Sequence, residues 1–184
     1  MKRNAIAVFA LILLPVVFAH AQSTMPKPAS EQRNWDLWVG DWTLVGTAKD
    51  TPTEPEYRVD WNLYGSRILG GFFIQIDQIW RGKGPEQHSL EILSYDPIKR
   101  THASSGFQSD GATWVATATY SDGTAVETGT TTTADGKIIK WRGTWVFSAD
   151  QMAVSATQES DQEGVRWTSF TVKGTKAKTP ATTK

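Results

Sequence analysis

Between Trp42 and Lys173, apolar and polar residues alternate in short runs broken by Gly, Asp and Pro, and no stretch keeps a helical period. The breaks predict ten strands, at 41–48, 56–64, 67–80, 87–95, 100–108, 112–121, 124–133, 137–148, 151–159 and 164–173. These runs are rich in Thr, Val, Ile and aromatics, residues that fit a pleated, half-buried surface. Gly65-Ser66, Asp110-Gly111, Asp122-Gly123 and Asp135-Gly136 carry the residues of two-residue hairpin turns. Gly82-Lys83-Gly84-Pro85, Asp96-Pro97 and Asp161 to Gly164 mark longer turns. Successive hairpins predict an all-β fold, a single antiparallel up-and-down β-barrel of about ten strands, because closure removes the edges a flat sheet would expose.

Placing the hairpins in register sorts side chains by face. With a turn at Gly65-Ser66, Leu63 faces Ile68, Trp61 faces Gly70, Val59 faces Phe72 and Tyr57 faces Ile74. That face is apolar on both strands and is expected to point inward, with Gly70 leaving room for the Trp61 indole. The hairpin at Asp122-Gly123 puts Trp114, Ala116, Ala118, Tyr120, Ala125, Glu127 and Gly129 on one face. A two-residue turn at Asp135-Gly136 continues that face into Arg142, Thr144 and Val146, and sends Trp141, Gly143, Trp145 and Phe147 to the opposite one. Both sets cannot be interior unless a bulge reverses the parity. With the Trp141 set inside, Glu127 and Arg142 form an exposed pair; with the other set inside, they form a buried polar site beside Trp114 and Tyr120. Burying charge costs several kcal/mol unless it is fully paired, which favours the indole-rich face.

The ends of the chain differ from this core. Lys2 and Arg3, the apolar run Ala5 to Phe18 and the Ala19-His20-Ala21 site read as a signal peptide cleaved after residue 21. The apolar run is shorter than the ~20 residues of a membrane span, so no stable membrane anchor is expected and the protein is expected to be exported, periplasmic or secreted. Residues 22–34 read as a flexible arm with a short helical turn near Glu31 to Leu37, residues 35–173 as the barrel domain, and 174–184 as a disordered tail. Nineteen basic and 19 acidic side chains balance, which leaves no electrostatic footprint for nucleic acid. With no cysteine, an exported chain has no disulfides, so its stability must come from a covered sheet and its nine tryptophans.

Candidate chemistry is sparse. The sequence has no P-loop, dinucleotide fingerprint, zinc-protease motif or nucleophile elbow, and no metal site or cofactor is expected. Of the two histidines beyond the leader, His102 shares a predicted strand face with Ser104 and Gly106, without an acidic or histidine partner spaced to complete a metal site. The expected ligand-binding residues are Tyr57, Trp61, Phe72, Ile74, Trp141 and Trp145, lining a space for a small hydrophobic molecule, since ten strands enclose more volume than ordinary core residues fill. The alternative catalytic set is His102, Glu127 and Arg142, for an isomerase, hydratase or cyclase. A third alternative turns several indoles outward as stacking platforms for glycans or a partner protein.

Leu37-Trp38-Val39-Gly40-Asp41-Trp42, Gly65-Ser66-Arg67-Ile68-Leu69, Leu93-Ser94-Tyr95-Asp96-Pro97, Ser109-Asp110-Gly111 and Asp135-Gly136 stand in an order that resembles the DUF1579 family of small exported bacterial proteins, over roughly residues 35–173. The resemblance implies a lipocalin-like, calycin-type barrel and no agreed activity. Gly40-x-Trp42 is also similar to the lipocalin G-x-W, whose indole closes one end of the barrel beneath an Arg from a late strand. That resemblance makes Trp42 and Arg166 the expected barrel-closing pair. Related haem-binding nitrobindins place their haem-ligating His near the C-terminal end, where this chain has none after His102, so haem is not expected.

Overall fold

The computed structural model describes residues 26–178, and the proposed signal peptide and the last residues of the tail lie outside them. A 3-10 segment, Ser30–Trp38, leads into ten strands: β1 (Gly40–Ala48), β2 (Tyr57–Ile68), β3 (Phe73–Arg81), β4 (Gln87–Asp96), β5 (Thr101–Gln108), β6 (Thr113–Ser121), β7 (Thr124–Thr132), β8 (Ile138–Phe147), β9 (Ala153–Gln162) and β10 (Val165–Lys176). Each strand pairs antiparallel with its chain neighbours, and β1 pairs with β10 to close the barrel. The architecture is all-β and up-and-down, as the hairpin pattern predicts, and lipocalin-like, as the family resemblance implies. β10 runs three residues beyond the expected limit at 173, because Gly174, Thr175 and Lys176 pair with Leu44, Thr43 and Trp42.

Two turns depart from the sequence reading. At Asp135-Gly136 the loop has three residues instead of two: the Thr133 N–H donates to the Lys137 carbonyl, the Gly136 N–H donates to the Thr133 carbonyl, and Gly136 takes a φ of 84°. This type I turn with a glycine bulge shifts the β7–β8 register by one residue, so Glu127 faces Gly143 and Gly129 faces Trp141. The parity conflict disappears. The Glu127 set and the Trp141, Trp145 and Phe147 set are interior together, while Arg142 points outward and is exposed.

Gly65-Ser66 is not a turn. β2 continues through it, and the chain reverses at Leu69–Gly71, so that Trp61 faces Trp80 and Leu63 faces Gln78. A Cβ on Gly65 would sit 1.8 Å from the Trp38 carbonyl oxygen, so this glycine permits a close crossing of the 3-10 segment instead of a reversal. The expected facing pairs were therefore wrong. The displacement is an even number of residues, however, so Tyr57, Val59, Trp61, Leu63 and Ile74 still share the interior face.

The 3-10 segment plugs one end of the barrel. Trp35, Leu37 and Trp38 are buried against Trp42, Leu44, Leu63, Ile74, Ile76 and Leu93. Trp38 meets Trp145 and Phe147 edge-on, with ring centroids 4.9 and 5.1 Å away, a geometry that aromatic quadrupoles favour. Trp42 is buried beneath a cation, as the lipocalin resemblance implies, but the cation is not Arg166. Arg166 lies near the β9–β10 turn, its side chain 83% exposed and paired with Asp161 at 3.1 Å. Lys176 takes the place over the indole, with Nζ 5.4 Å from the ring centroid, and donates to the Leu37 carbonyl at 3.3 Å.

Candidate functional site

The other end of the barrel is open onto a cavity of about 450 Å³. Glycines help to make the space. A Cβ on Gly106 would lie 1.9 Å from the Trp114 ring, and one on Gly129 would lie 2.6 Å from the Trp141 ring, so both indoles lie flat over facing backbone instead of filling the lumen. On the opposite wall Trp61, Trp80 and Phe170 pack edge-to-face, with centroids 5.1 and 5.7 Å from Trp61, and Trp145 adjoins them at 5.8 Å. At the mouth the Tyr57 hydroxyl donates to Asp50, and Lys83 pairs with Glu54 at 2.7 Å and Asp50 at 3.6 Å. Burial first and Asp50 second push the Tyr57 phenol well above its ordinary range.

The floor is polar. Glu91 enters from β4, with its neighbours Leu90 and Ile92 on the opposite face of the strand, and Glu127 enters from β7 between Val126 and Thr128. Glu91 accepts hydrogen bonds from the Gln78 amide at 2.8 Å and the Trp114 indole N–H at 3.3 Å. The Ser104 hydroxyl is buried nearby but makes no hydrogen bond of good geometry. Glu127 is 7% exposed and accepts one bond, from the Trp145 indole N–H to Oε2 at 3.1 Å. Its Oε1 has no hydrogen-bond partner among the described residues. Burial first, then the Glu91 carboxylate, push the Glu127 carboxyl up to about 8, against the opposing pull of the Trp145 N–H. Burial also raises the Glu91 carboxyl, against the donors from Trp114 and Gln78.

Of the residues expected to bind a ligand, Tyr57, Trp61, Trp141 and Trp145 line this cavity. Phe72 sits at the β2–β3 reversal and Ile74 is sealed in the plugged end, so neither reaches it. The set His102, Glu127 and Arg142 is not assembled. Arg142 is outside the barrel, and His102 lies at the plugged end, with Nε2 2.9 Å from the Glu31 carbonyl. Since a carbonyl can only accept, Nε2 carries the proton there, and the ring braces the 3-10 segment between Trp35 and Tyr95. None of the nine indoles is exposed, so the outward stacking platform is absent.

Sequence reasoning missed Glu91, Gln78 and Gln158. Their strands alternate, but the polar residues take the inward parity, a pattern that by itself reads as a solvent face. Leu93 and Ile76, on the same faces as Glu91 and Gln78, were the available signal. Among the described residues no group of three His, Cys, Asp or Glu is placed to hold a metal, and no helix is long and apolar enough to cross a membrane.

No protein-family model and no curated protein sequence matches the chain. Among solved structures, Rv2717c from M. tuberculosis superposes with a TM-score of 0.63 and 16% identity, covering 83% of this chain and 100% of that one. An S-type phycobiliprotein lyase from Guillardia theta aligns with a TM-score of 0.47 and 10% identity, over 82% of this chain and 94% of that one. At this identity the first likeness shows a shared lipocalin-like barrel.

Proposed function

We propose that this protein binds or carries a small organic ligand in the open end of its barrel. The observation that carries this reading is the cavity of about 450 Å³, closed at one end by the indole plug and walled by aromatic rings. Its size falls in the range of small-molecule sites, which combine largely apolar walls with a few placed polar groups. The small hydrophobic ligand expected from the sequence is refined to one with a flat apolar body and a polar end, because Glu91, Glu127, Gln78 and Gln158 share the lining. Titrating the purified protein with fatty acids, retinoids and polyaromatic amphiphiles, while following tryptophan emission, tests the reading. Six indoles line the cavity, so occupancy is expected to give a saturable change, and its absence across the panel would sink the proposal.

We further propose that the chain is an exported protein of DUF1579 type. The leader pattern, the Ala19-His20-Ala21 site and the five motifs between Leu37 and Gly136 support this. An intact mass beginning at Gln22 is expected from cells making the full chain; retention of Met1 in the mature protein counts against export.

A second reading rests on the Glu127 carboxyl, which at about 8 retains its proton at neutral pH inside a solvent-open cavity. It is placed to act as a general acid, in a reaction of isomerase, hydratase or cyclase type. Conversion of a bound ligand by the native protein, with binding but no conversion in Glu127→Gln, is the expected pattern. Recovery of every bound ligand unchanged removes the enzyme reading.

A further inference from the structure

The binding reading leaves open which polar end the cavity selects, and the floor answers by its charge. The lining holds one buried carboxyl, Glu127, and one half-buried, Glu91, while its only basic side chains among the described residues, Lys49 and Lys83, lie at the mouth. Lys83 is already paired with Glu54 and Asp50. Around the two carboxyls, β3 presents Gln78, β5 Gly106, β6 Trp114, β8 Trp145 and β9 Gln158, none of them charged. The remaining titratable groups of the lining, Tyr57, Asp50 and Asp110, are at the rim and add no positive charge.

Once ionised, Glu127 presents Oε1, which has no hydrogen-bond partner among the described residues, to an aromatic chamber without a counter-cation. An anionic ligand end would find no counter-charge on the floor, and an apolar end would leave the carboxyl group unsatisfied. An ammonium group supplies both the charge and the N–H donors, and the surrounding indole faces attract cations as well.

We propose that the ligand is a hydrophobic amine, with a flat apolar body held among the indoles and a primary or secondary ammonium bound at Glu127 and Glu91. This inference rests on the small-molecule reading and narrows it. Entry of the ammonium displaces the proton of the Glu127 carboxylic acid to bulk water, so the pair becomes ionised while its net charge is partly neutralised by the ligand.

Three naphthalene probes of one shape test it on the mature chain at neutral pH: 1-naphthylmethylamine, 1-naphthalenemethanol and 1-naphthoic acid. The amine is expected to bind at least about tenfold more tightly than the alcohol, the scale of a charge-assisted hydrogen bond, and the acid most weakly. Calorimetry in two buffers of different ionisation enthalpy is expected to show release of about one proton with the amine and none with the alcohol. Glu127→Gln is expected to lower amine affinity to that of the alcohol and to abolish the proton release; Glu91→Gln is the second variant should the first fail to fold. Equal binding of amine and alcohol, preference for the acid, or an amine preference that survives both substitutions overturns amine recognition and leaves the small-molecule reading standing. Failure of all three probes to bind counts against both.

Discussion

The two ends of this barrel are built from the same strands and the same residue types, yet they behave as opposites. At the plugged end, Trp35, Trp38 and Trp42 pack against aliphatic side chains, and Trp35 donates its indole N–H to the Ser94 carbonyl at 3.0 Å. At the open end, Trp114 and Trp145 donate theirs to carboxyl groups, and space remains between the rings. The contrast shows what an indole contributes in each setting. Where nothing else competes for the interior, it is a large apolar filler. Where a buried acid stands within reach, it is a hydrogen-bond donor that makes the acid tolerable without neutralising it.

The largest test of that contrast is to open the plug. Trp38→Ala removes a ring wedged between Trp42, Trp145 and Phe147, and is expected to cost about 3–5 kcal/mol in chemical denaturation. A loss below about 1 kcal/mol would mean that the two ends do not differ in packing.

The next test addresses the open end through pH. The folded Glu127 carboxyl titrates at about 8 against an ordinary value of 4.5. Its raised value favours the fold below pH 4.5, and that contribution is lost as pH rises through about 8, because the folded state then holds a buried carboxylate. Glu127→Gln is expected to match the native protein in stability below about pH 4.5 and to exceed it by on the order of 5 kcal/mol above about pH 9. Parallel pH-stability curves for the two proteins would show that Glu127 is not the strained acid described above.

The smallest test separates the two cations. Lys176→Ala loses the contact over Trp42 and the bond to Leu37 and is expected to cost about 1 kcal/mol. Arg166→Ala, which removes a solvent-exposed ion pair, is expected to change stability by less than about 0.5 kcal/mol. A larger loss from Arg166→Ala than from Lys176→Ala would return the barrel-closing role to the arginine. Denaturation midpoints of both variants decide it.

Sequence alone determined the strand count, the meander, a short helical turn near Glu31 to Leu37 and the inward parity of Tyr57, Trp61 and Ile74. All of these follow from local signals: alternation with period two, Gly- and Asp-marked turns, and a polar Pro-containing arm. Asp122-Gly123 needs nothing more, since both residues take positive φ, 48° and 75°, and close a two-residue hairpin. Tertiary structure alone decided which polar residues face the lumen. One residue more or less in the Asp135-Gly136 turn exchanges the faces of every side chain in β8, and no local preference separates a two-residue loop from a three-residue loop with a glycine bulge. Closure settles it, because β8 must present Trp141, Trp145 and Phe147 to the same interior that receives Trp38, and that choice carries Glu127 inside with them. The same holds for Lys176, which meets Trp42 only because the last strand returns to pair with the first.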